Sequence, residues 1–447
     1  MPLTALQQRK EDRPFNPWRH LAEEASPFLR VVLALLSSQR GDKNRRNPQD
    51  QVRYECLVEA LISDLAYNVL LNEPVAIHLT RANKELSKKF QRRYRPEFLN
   101  GKMLPTLLDD MQTCGLIEMR KGHRGPRRTD GVSMDQTRIV AGPVFVTLLK
   151  QYRVSANQLC SNYEGQEIVV LKGFKDETCS DADLTDYQDT PQTLAYRQEV
   201  DTINDWLQSA PLSVSSHINM TVDLRERRLR RYFTRSNFES GGRLFGGFWQ
   251  PMTKADRLVH LRIVGEEVVE KDYSSMLPRL LYGTAQQSIP STLVNDPYRV
   301  PGFERSRAGI KKLFSALLFH REGEVRTRFP DGSLPLFDAQ ELHRVGGKVQ
   351  PVIESIKETH YPVSQHFETE VGYSLMFQES QILVAVLLAL RERKAYALPI
   401  HDALVTSQRD ARVTELVMLE TFQRMVGQAG KVTTLTHRDL LNMKKTA

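Results

Sequence analysis

The sequence predicts an α+β fold, with an antiparallel sheet and packed helices in the second half of the chain and a smaller helical domain before it. Three observations carry this prediction. A β-branched run leads into Asp272, and two short apolar runs near residue 400 are broken only by His401 and Asp402. Between them, residues 305–319 have apolar side chains at helical spacing. We therefore expect a sheet built from hairpins, with helices against it.

Length and charge limit the class of protein. The 447 residues suffice for two to four domains, and the formal net charge of +8 favours an anionic partner. Basic residues cluster at 92–95, 120–128 and 225–231, each with a glycine, proline or aromatic residue nearby, which favours nucleic acid over a merely solvated face.

The cysteines and the apolar runs indicate a cytoplasmic protein. The four cysteines are scattered and lack the spacing of a zinc site, as expected for reduced thiols. The amino terminus has no signal-peptide pattern, and the longest apolar runs, 28–36 and 382–390, are too short to span a bilayer. We expect no membrane partner. No pattern indicates an oligomeric state.

The first 150 residues predict a polar segment and then a small domain. Residues 1–51 are polar apart from one apolar stretch, whereas residues 52–150 predict three helices and two strands joined by a long basic loop. These elements are expected at residues 54–71, 80–90, 104–114, 116–119 and 137–140. This order resembles a winged helix-turn-helix. The resemblance implies that Arg124, Arg127 and Arg128 of the loop contact DNA phosphates. A small helical domain with a solvated hairpin is the alternative.

Residues 151–190 are expected to connect this domain to a second one, residues 191–447. The acidic stretch 176–189 has no apolar period and reads as a linker. A helix is expected near residues 192–207, where order resumes.

Asp272 stands at a predicted corner between a strand and a helix. Residues 268–272 predict a strand, and Ser274 or Ser275 can cap a helix that begins at once. A carboxylate there has a fixed backbone and open oxygens, as a ligand of a hard cation needs. An Asp-Tyr-Ser sequence is also a common helix cap, so this segment alone leaves both interpretations open.

Asp402 offers a second carboxylate of the same kind. The two apolar runs around it predict a tight hairpin with Asp402 at the bend, and two hairpins in one sheet would bring it beside Asp272. Two such carboxylates repel each other, so a bound cation is needed to keep both ionised.

Arg307 and Lys311 are four residues apart on a predicted helix, so they share one face. Lysine contacts phosphate as a point charge, and arginine can bind it with two donors. An ordinary basic amphipathic helix is the alternative interpretation.

Four segments together resemble the palm and fingers of family A DNA polymerases, in the same chain order. The first, Gly242–Leu244 followed by Gln250, resembles the motif that contacts the primer. Asp272-Tyr-Ser with Arg279 is similar to the first palm motif, and Ile400–Asp402 to the last. Arg307 and Lys311, with Phe319 eight residues beyond the lysine, are similar to the fingers motif.

The resemblance implies a nucleotidyltransferase that extends a primer on a DNA template with nucleoside triphosphates. The primer 3′-hydroxyl would attack the α-phosphate with the help of two Mg²⁺ ions, for which Mn²⁺ can substitute. The implied roles are metal binding by Asp272 and Asp402, nucleotide binding by Lys311, Arg307, Phe319 and Tyr273, and primer or template binding by Arg243, Gln250 and His401. As a buried palm aromatic, Tyr273 would need no function. Glu379 could orient a metal ligand or simply cap a helix.

Departures from the family pattern keep other activities open. Leu277 stands where the family has a glutamate that supports discrimination against ribose, and Ser315 stands where an aromatic residue stacks on the incoming base. Ala403 replaces a glutamate after the His-Asp pair. A primase-like or RNA-synthesising polymerase is therefore one alternative, and a non-catalytic replication initiator or DNA-binding protein is another. The expected setting is replication or repair, in a mobile element.

Overall fold

The chain forms two compact units in a computed structural model. Unit 1 comprises Met1–Glu167 and Gly173–Gln188, and unit 2 comprises Ile168–Lys172 and Asp189–Ala447. The structure describes residues 12–40, 46–70, 75–82, 86, 93–122, 136–161, 163–174, 184–215, 222–325, 339–344 and 346–446. Unit 1 comprises three parts that the sequence predicts as separate, namely the segment 1–51, the domain 52–150 and most of the connector 151–190.

Unit 1 combines helices with a four-stranded sheet. Its helices are α1 (Ser26–Arg40), α2 (Pro48–Leu70), α3 (Met103–Thr113) and α4 (Pro143–Gln151), and its strands are β1 (Arg13–Pro14), β2 (Arg19–Leu21), β3 (Ile77–Leu79), β4 (Ile117–Arg120), β5 (Thr137–Ala141) and β6 (Leu159–Ser161). The sheet order is β1-β3-β5-β4, and β2 pairs with β6. The predicted hairpin is β4–β5, with Glu118 opposite Val140. Most of the helix predicted at 80–90 lies outside the described residues.

The amino-terminal segment belongs to the core of unit 1. Phe28, Val32 and Leu36 of α1 are completely buried in the same cluster as side chains of α2 and α3. Their four-residue spacing makes one apolar stripe on the helix. Leu159 of β6, from the predicted connector, joins that cluster as well. These apolar positions explain why two segments that look polar on average pack with the domain between them.

Unit 2 holds the remaining elements. Its helices are α5 (Pro191–Gln208), α6 (Lys254–His260), α7 (Met276–Thr284), α8 (Arg307–Phe319), α9 (Ala339–Arg344), α10 (Gln350–Thr359), α11 (Gly372–Glu392), α12 (Ala411–Val426) and α13 (His437–Thr446). Its strands are β7 (Val169–Leu171), β8 (Leu212–Val214), β9 (Arg230–Thr234), β10 (Asn237–Phe245), β11 (Leu261–Ile263), β12 (Glu266–Tyr273), β13 (Ala397–Ile400), β14 (Ala403–Ser407) and β15 (Val432–Leu435). Several sheets and many helices give a mixed fold that is compatible with the predicted α+β class.

The larger sheet of unit 2 is antiparallel and centres on β12. Its order is β13-β14-β12-β11-β8, and β15 also pairs with β12. A second sheet has the order β10-β9-β7, in which β10 pairs antiparallel to β9 and β7 runs parallel to it. The side chains between these strands and the helices form one apolar core. Because β12 ends at Tyr273, this core fixes the backbone at Asp272.

Helix α11 is longer than the apolar run that the sequence shows at 382–390. Among the described helices, α11 alone is long and apolar enough to cross a membrane, judged by length and composition. Core helices of soluble proteins pass the same test. Leu383, Val386 and Leu390 are buried in the core of unit 2, so packing within the unit accounts for the apolar character of the helix.

Candidate active site

Asp272 and Asp402 lie on neighbouring strands. Asp272 of β12 is opposite Ala403 of β14, and the Tyr273 N–H points at the carbonyl oxygen of Asp402, 3.4 Å away. His401 and Asp402 form the two-residue turn of the β13–β14 hairpin, in which His401 has the left-handed φ of 54°. The structure therefore brings the two predicted carboxylates together at the ends of two paired strands.

The charges around Asp272 act against each other. Burial, and next the negative charge of Asp402, raise the pKa of Asp272 from 3.8 to about 6, while Lys254 and Lys311 oppose that rise. Two carboxylates that repel in this way are stabilised by a cation placed between them. The electrostatics of the pair thus suit a divalent ion.

The corner after Asp272 is held by Arg279 rather than by a serine cap. Helix α7 begins at Met276, directly after Ser275, but Ser275 has a left-handed φ of 56° and its hydroxyl caps nothing. The buried Arg279 side chain donates to three carbonyl oxygens, those of Ser274 (3.1 Å), Ala429 (3.3 Å) and Val294 (2.8 Å). The predicted helix start is correct, whereas the predicted serine cap is wrong.

Helix α8 presents Arg307 and Lys311 on one exposed face. The buried Tyr298 lies beneath both, with its ring centre 5.5 Å from the Arg307 guanidinium and 6.0 Å from the Lys311 nitrogen. Arg307 also donates from Nε and Nη2 to the two carboxylate oxygens of Asp296, at 2.6 and 2.9 Å. No pattern in the sequence indicates a role for Tyr298 or Asp296, because both act through contacts between separate elements.

Phe319 and Tyr273 are held by packing. The Tyr273 hydroxyl donates to the Met418 carbonyl at 2.6 Å, and its side chain is buried, which places it in the core. The half-buried Phe319 ring meets Tyr373 edge-on at 5.1 Å and lies against Gly372, where a Cβ atom would come within 2.8 Å of the ring. Both residues are predicted to contact the nucleotide. Tyr273 lies in the protein interior, whereas Phe319 is half-buried.

Arg243 reaches a third carboxylate, that of Glu379. Its Nε and Nη2 each lie 2.7 Å from Glu379 Oε1, and the Glu379 side chain is only 2% exposed. Gly242 permits this approach, since a Cβ atom there would lie 2.6 Å from Ser380 Oγ. Burial, above all, raises the pKa of Glu379, and the charges of Asp402 and Asp272 add to the rise. Because α11 begins at Gly372, Glu379 is inside the helix and cannot be its cap.

Gln250 and His401 differ in how far their side chains are held by contacts within the protein. The Gln250 amide donates to the carbonyls of Leu244 (2.9 Å) and Pro399 (3.2 Å) and accepts from the Gly246 N–H at 2.9 Å, so it braces β10 against β13. His401 keeps an exposed surface at the turn, but neighbouring groups partly desolvate its ring, and this desolvation, followed by the charge of Arg243, lowers its pKa.

An ion-pair cluster centred on the buried Glu270 lies beside the two carboxylates. Glu270 of β12 is paired with Lys254 (2.6 Å) and Arg257 (3.1 Å), and two residues further along the same strand comes Asp272. Alternate residues of a strand share a face, so Glu270 fixes Lys254 near Asp272. Nothing in the spacing of the sequence indicates this pairing.

The residues present fit Mg²⁺ better than a metal that needs an all-protein cage. Within the described ranges, no group of three or more His, Cys, Asp and Glu side chains is placed to hold a metal ion. Asp272 and Asp402 form a pair, and Mg²⁺ typically binds one or two carboxylates, with water and substrate phosphates completing its shell. The predicted wing residues Arg124, Arg127 and Arg128 lie outside the described residues.

Comparisons with known proteins leave the family open. No protein-family model matches the chain, and no curated protein matches it. Among solved structures, the chain is similar to the POL domain of Pol1 from M. smegmatis, determined with a DNA primer-template and dNTP. That match has 11% sequence identity and a TM-score of 0.32, and it covers 93% of this chain and 66% of the other. A score this low does not establish a shared fold.

Proposed function

We propose that unit 2 is a template-directed nucleotidyltransferase, a compact DNA-dependent DNA polymerase of the family A type that acts in replication or repair. One observation carries the proposal. Asp272 and Asp402 stand at the ends of neighbouring strands, where the negative charge of Asp402 helps to raise the pKa of Asp272 and the positive charge of Lys311 lowers it. A carboxylate pair facing a basic helix is the arrangement that metal-dependent phosphoryl transfer requires.

The position of each residue in the site assigns it a separate role in the proposed reaction. Asp272 and Asp402 would hold two divalent ions, which supply charge neutralisation and lower the pKa of the attacking hydroxyl. On the exposed face of α8, Lys311 and Arg307 bind the triphosphate, Arg307 by exchanging the Asp296 carboxylate for phosphate. Arg243 holds the primer end. Phosphoryl transfer depends mainly on positioning and charge, so no further reacting group is needed.

Unit 1 would be the DNA-binding module. Support comes from the chain order of α2, β3, α3, β4 and β5 and from the sheet order β3-β5-β4, in which the last two strands form a hairpin. Reversal of Arg127 and Arg128 to glutamate should weaken duplex binding and flatten its dependence on salt. Unchanged binding would remove the proposed role of the hairpin loop.

Leu277 favours a second candidate, synthesis of RNA. This residue packs its half-buried side chain against the core of unit 2. By the sequence resemblance, it stands where family A enzymes carry a glutamate. An apolar residue there offers no charge or hydrogen bond with which to sense the sugar. A polymerase that accepts ribonucleotides, with or without a primer, would follow from this difference.

Primer extension on a defined template tests these possibilities together. The full chain with Mg²⁺ is given deoxynucleotides, ribonucleotides, or either set without a primer, and Mn²⁺ replaces Mg²⁺ in parallel. Deoxynucleotide incorporation that requires a primer supports the DNA polymerase, and ribonucleotide incorporation supports the second candidate. If no nucleotide is incorporated with either metal, the proposal fails, and the non-catalytic alternative is then tested by DNA binding.

A further inference from the structure

The outward face of the β9–β10 ribbon carries aromatic and basic side chains together. Along β9 the residues alternate, with Arg231 and Phe233 buried and Arg230, Tyr232 and Thr234 partly exposed. Across the ribbon, Tyr232 is opposite Arg243 and Arg230 is opposite Phe245. Opposed residues in an antiparallel pair share one face, so these four side chains form one surface.

The rings on this surface stand close to each other and to cations. Phe245 is 39% exposed, and its ring meets Tyr232 at 5.5 Å with an interplanar angle of 84°. The Tyr232 ring centre lies 5.4 Å from the Arg230 guanidinium and 5.4 Å from the Lys172 nitrogen. Phe245 is thus a large exposed ring supported edge-on by Tyr232, and the two cations lie at the Tyr232 ring. Such an arrangement is suited to stacking of a base on Phe245 while the cations neutralise phosphates.

The same surface continues to the candidate active site. The Phe245 ring lies 5.5 Å from the His401 ring, and His401 is next to Asp402. Glu379 of α11, which pairs with Arg243 of this ribbon, is buried.

We propose that Arg230, Tyr232, Phe245 and Lys172 form a binding surface for single-stranded nucleic acid, on which one base stacks on Phe245. This surface would guide an unpaired strand to or from the site at Asp402. The proposal goes beyond nucleotidyl transfer and does not depend on it, since it concerns binding alone.

Fluorescence anisotropy of labelled oligonucleotides tests the surface. The full chain with Asp272→Asn, which prevents turnover, is titrated onto oligo(dT), oligo(rU) and a duplex, each of about 20 units, a length that accommodates one such site. Phe245→Leu removes the ring and keeps the apolar volume. Tyr361→Leu is the matched control, since Tyr361 is an 80% exposed aromatic residue elsewhere on unit 2. Thermal melting confirms that each variant is folded.

We expect Phe245→Leu to weaken single-strand binding by about five-fold to a hundred-fold, the range for one lost base stack. Tyr361→Leu should leave it unchanged. The stronger of the DNA and RNA signals identifies the strand, and a loss on either supports the surface. Single-strand binding equal to that of the parent, or an equal loss on the duplex, would overturn the proposal.

A second variant checks the charge without touching the ring. Arg230→Gln should reduce the slope of log affinity against log salt by about 0.7, the value for one phosphate contact on a single strand. An unchanged slope would contradict the assignment of Arg230. If the wild type incorporates no nucleotide and yet Phe245→Leu loses single-strand binding, the proposed function fails and the surface stands.

Discussion

Arg243 and Glu379, separated by 136 residues in the sequence, form an ion pair with a buried carboxylate at the edge of the candidate site. Both donor nitrogens converge on one oxygen, so the carboxylate fixes the direction of the guanidinium as well as balancing its charge. The primer contact proposed for Arg243 should therefore depend on a residue that does not touch the primer.

Glu379→Gln tests this dependence. The neutral amide cannot balance the Arg243 charge, so we expect the affinity for primer-template to fall by roughly ten-fold, on the scale of one charged hydrogen bond. The nucleotide concentration for half-maximal rate should stay unchanged. Steady-state kinetics with either substrate varied separate the two effects. Glu392→Gln, on the same helix and 74% exposed, is the control. A change in nucleotide dependence alone would refute a role through Arg243.

The repulsion between Asp272 and Asp402 should limit the stability of the metal-free protein. The pKa of Asp272 is about 6 in the folded chain and 3.8 ordinarily, so ionisation of Asp272 lowers the free energy of unfolding. This loss of stability is complete above pH 6 and absent below pH 3.8. Asp402→Asn removes part of that cost. We expect its Tm at pH 8 without metal to exceed that of the wild type by about 2–4 °C, the shift for 1 kcal/mol in a large domain.

Two further readings of the same melts check the cause of the Asp402→Asn effect. The difference in Tm should shrink as the pH falls below 6, where Asp272 becomes protonated. Added Mg²⁺ should raise the Tm of the wild type and leave the Asp402→Asn variant unchanged. Equal responses of both proteins to Mg²⁺ would show that the ion binds elsewhere.

Unit 1 contains a buried charge that should control its stability. The fully buried Asp64 carboxylate lies 2.9 Å from Arg13 Nη1 and 3.0 Å from Arg19 Nε. Asp64→Asn would remove the negative charge that both guanidinium groups contact, at a cost of about 3–5 kcal/mol in the free energy of unfolding. Asp109 forms an ion pair with Arg81, and its side chain is 45% exposed. Asp109→Asn should therefore lower the free energy of unfolding by about 1 kcal/mol or less. Urea denaturation of the two variants measures both, and similar losses would contradict the burial argument.

His360 should make the protein sensitive to acid. It is completely buried against Phe314 and within 3.1 Å of the Tyr282 hydroxyl, and burial lowers its pKa from 6.5 to about 4. As the pH falls, the unfolded chain therefore binds a proton at His360 near pH 6.5, whereas the folded chain binds it only near pH 4. The free energy of unfolding decreases as the pH falls through this window. The full loss is on the order of 3 kcal/mol.

The comparison with His360→Phe isolates that effect. The free energy of unfolding is measured in urea from pH 8 to pH 4.5 for both proteins, and the other titrating groups are common to both. We expect the wild type to lose more stability toward acid than the variant. The control His343→Phe changes an exposed histidine and should follow the wild-type profile. Parallel curves for wild type and His360→Phe would show that His360 does not titrate as described.

Local patterns in the sequence predicted the elements that carry the site. The apolar runs on either side of His401 and Asp402 predicted the hairpin β13–β14, and the helical period predicted α8, because both are set by near neighbours in the chain. Glu379 was misplaced at a helix start, since the apolar density of 380–391 hides the earlier turns of α11. The partners of Arg243 and Arg307 could not be predicted, because each comes from another element that only the tertiary fold brings near.

The carboxylate pair remains the central claim, and single-nucleotide incorporation at a primer end with Mg²⁺ tests it most directly. Asp272→Asn and Asp402→Asn keep the size of the side chain and remove the charge, and Asp205→Asn, on the exposed side of α5, is the matched control. We predict that each site variant lowers the incorporation rate by about 10²-fold or more, while the control keeps the wild-type rate. Incorporation at the wild-type rate by either site variant would contradict the account.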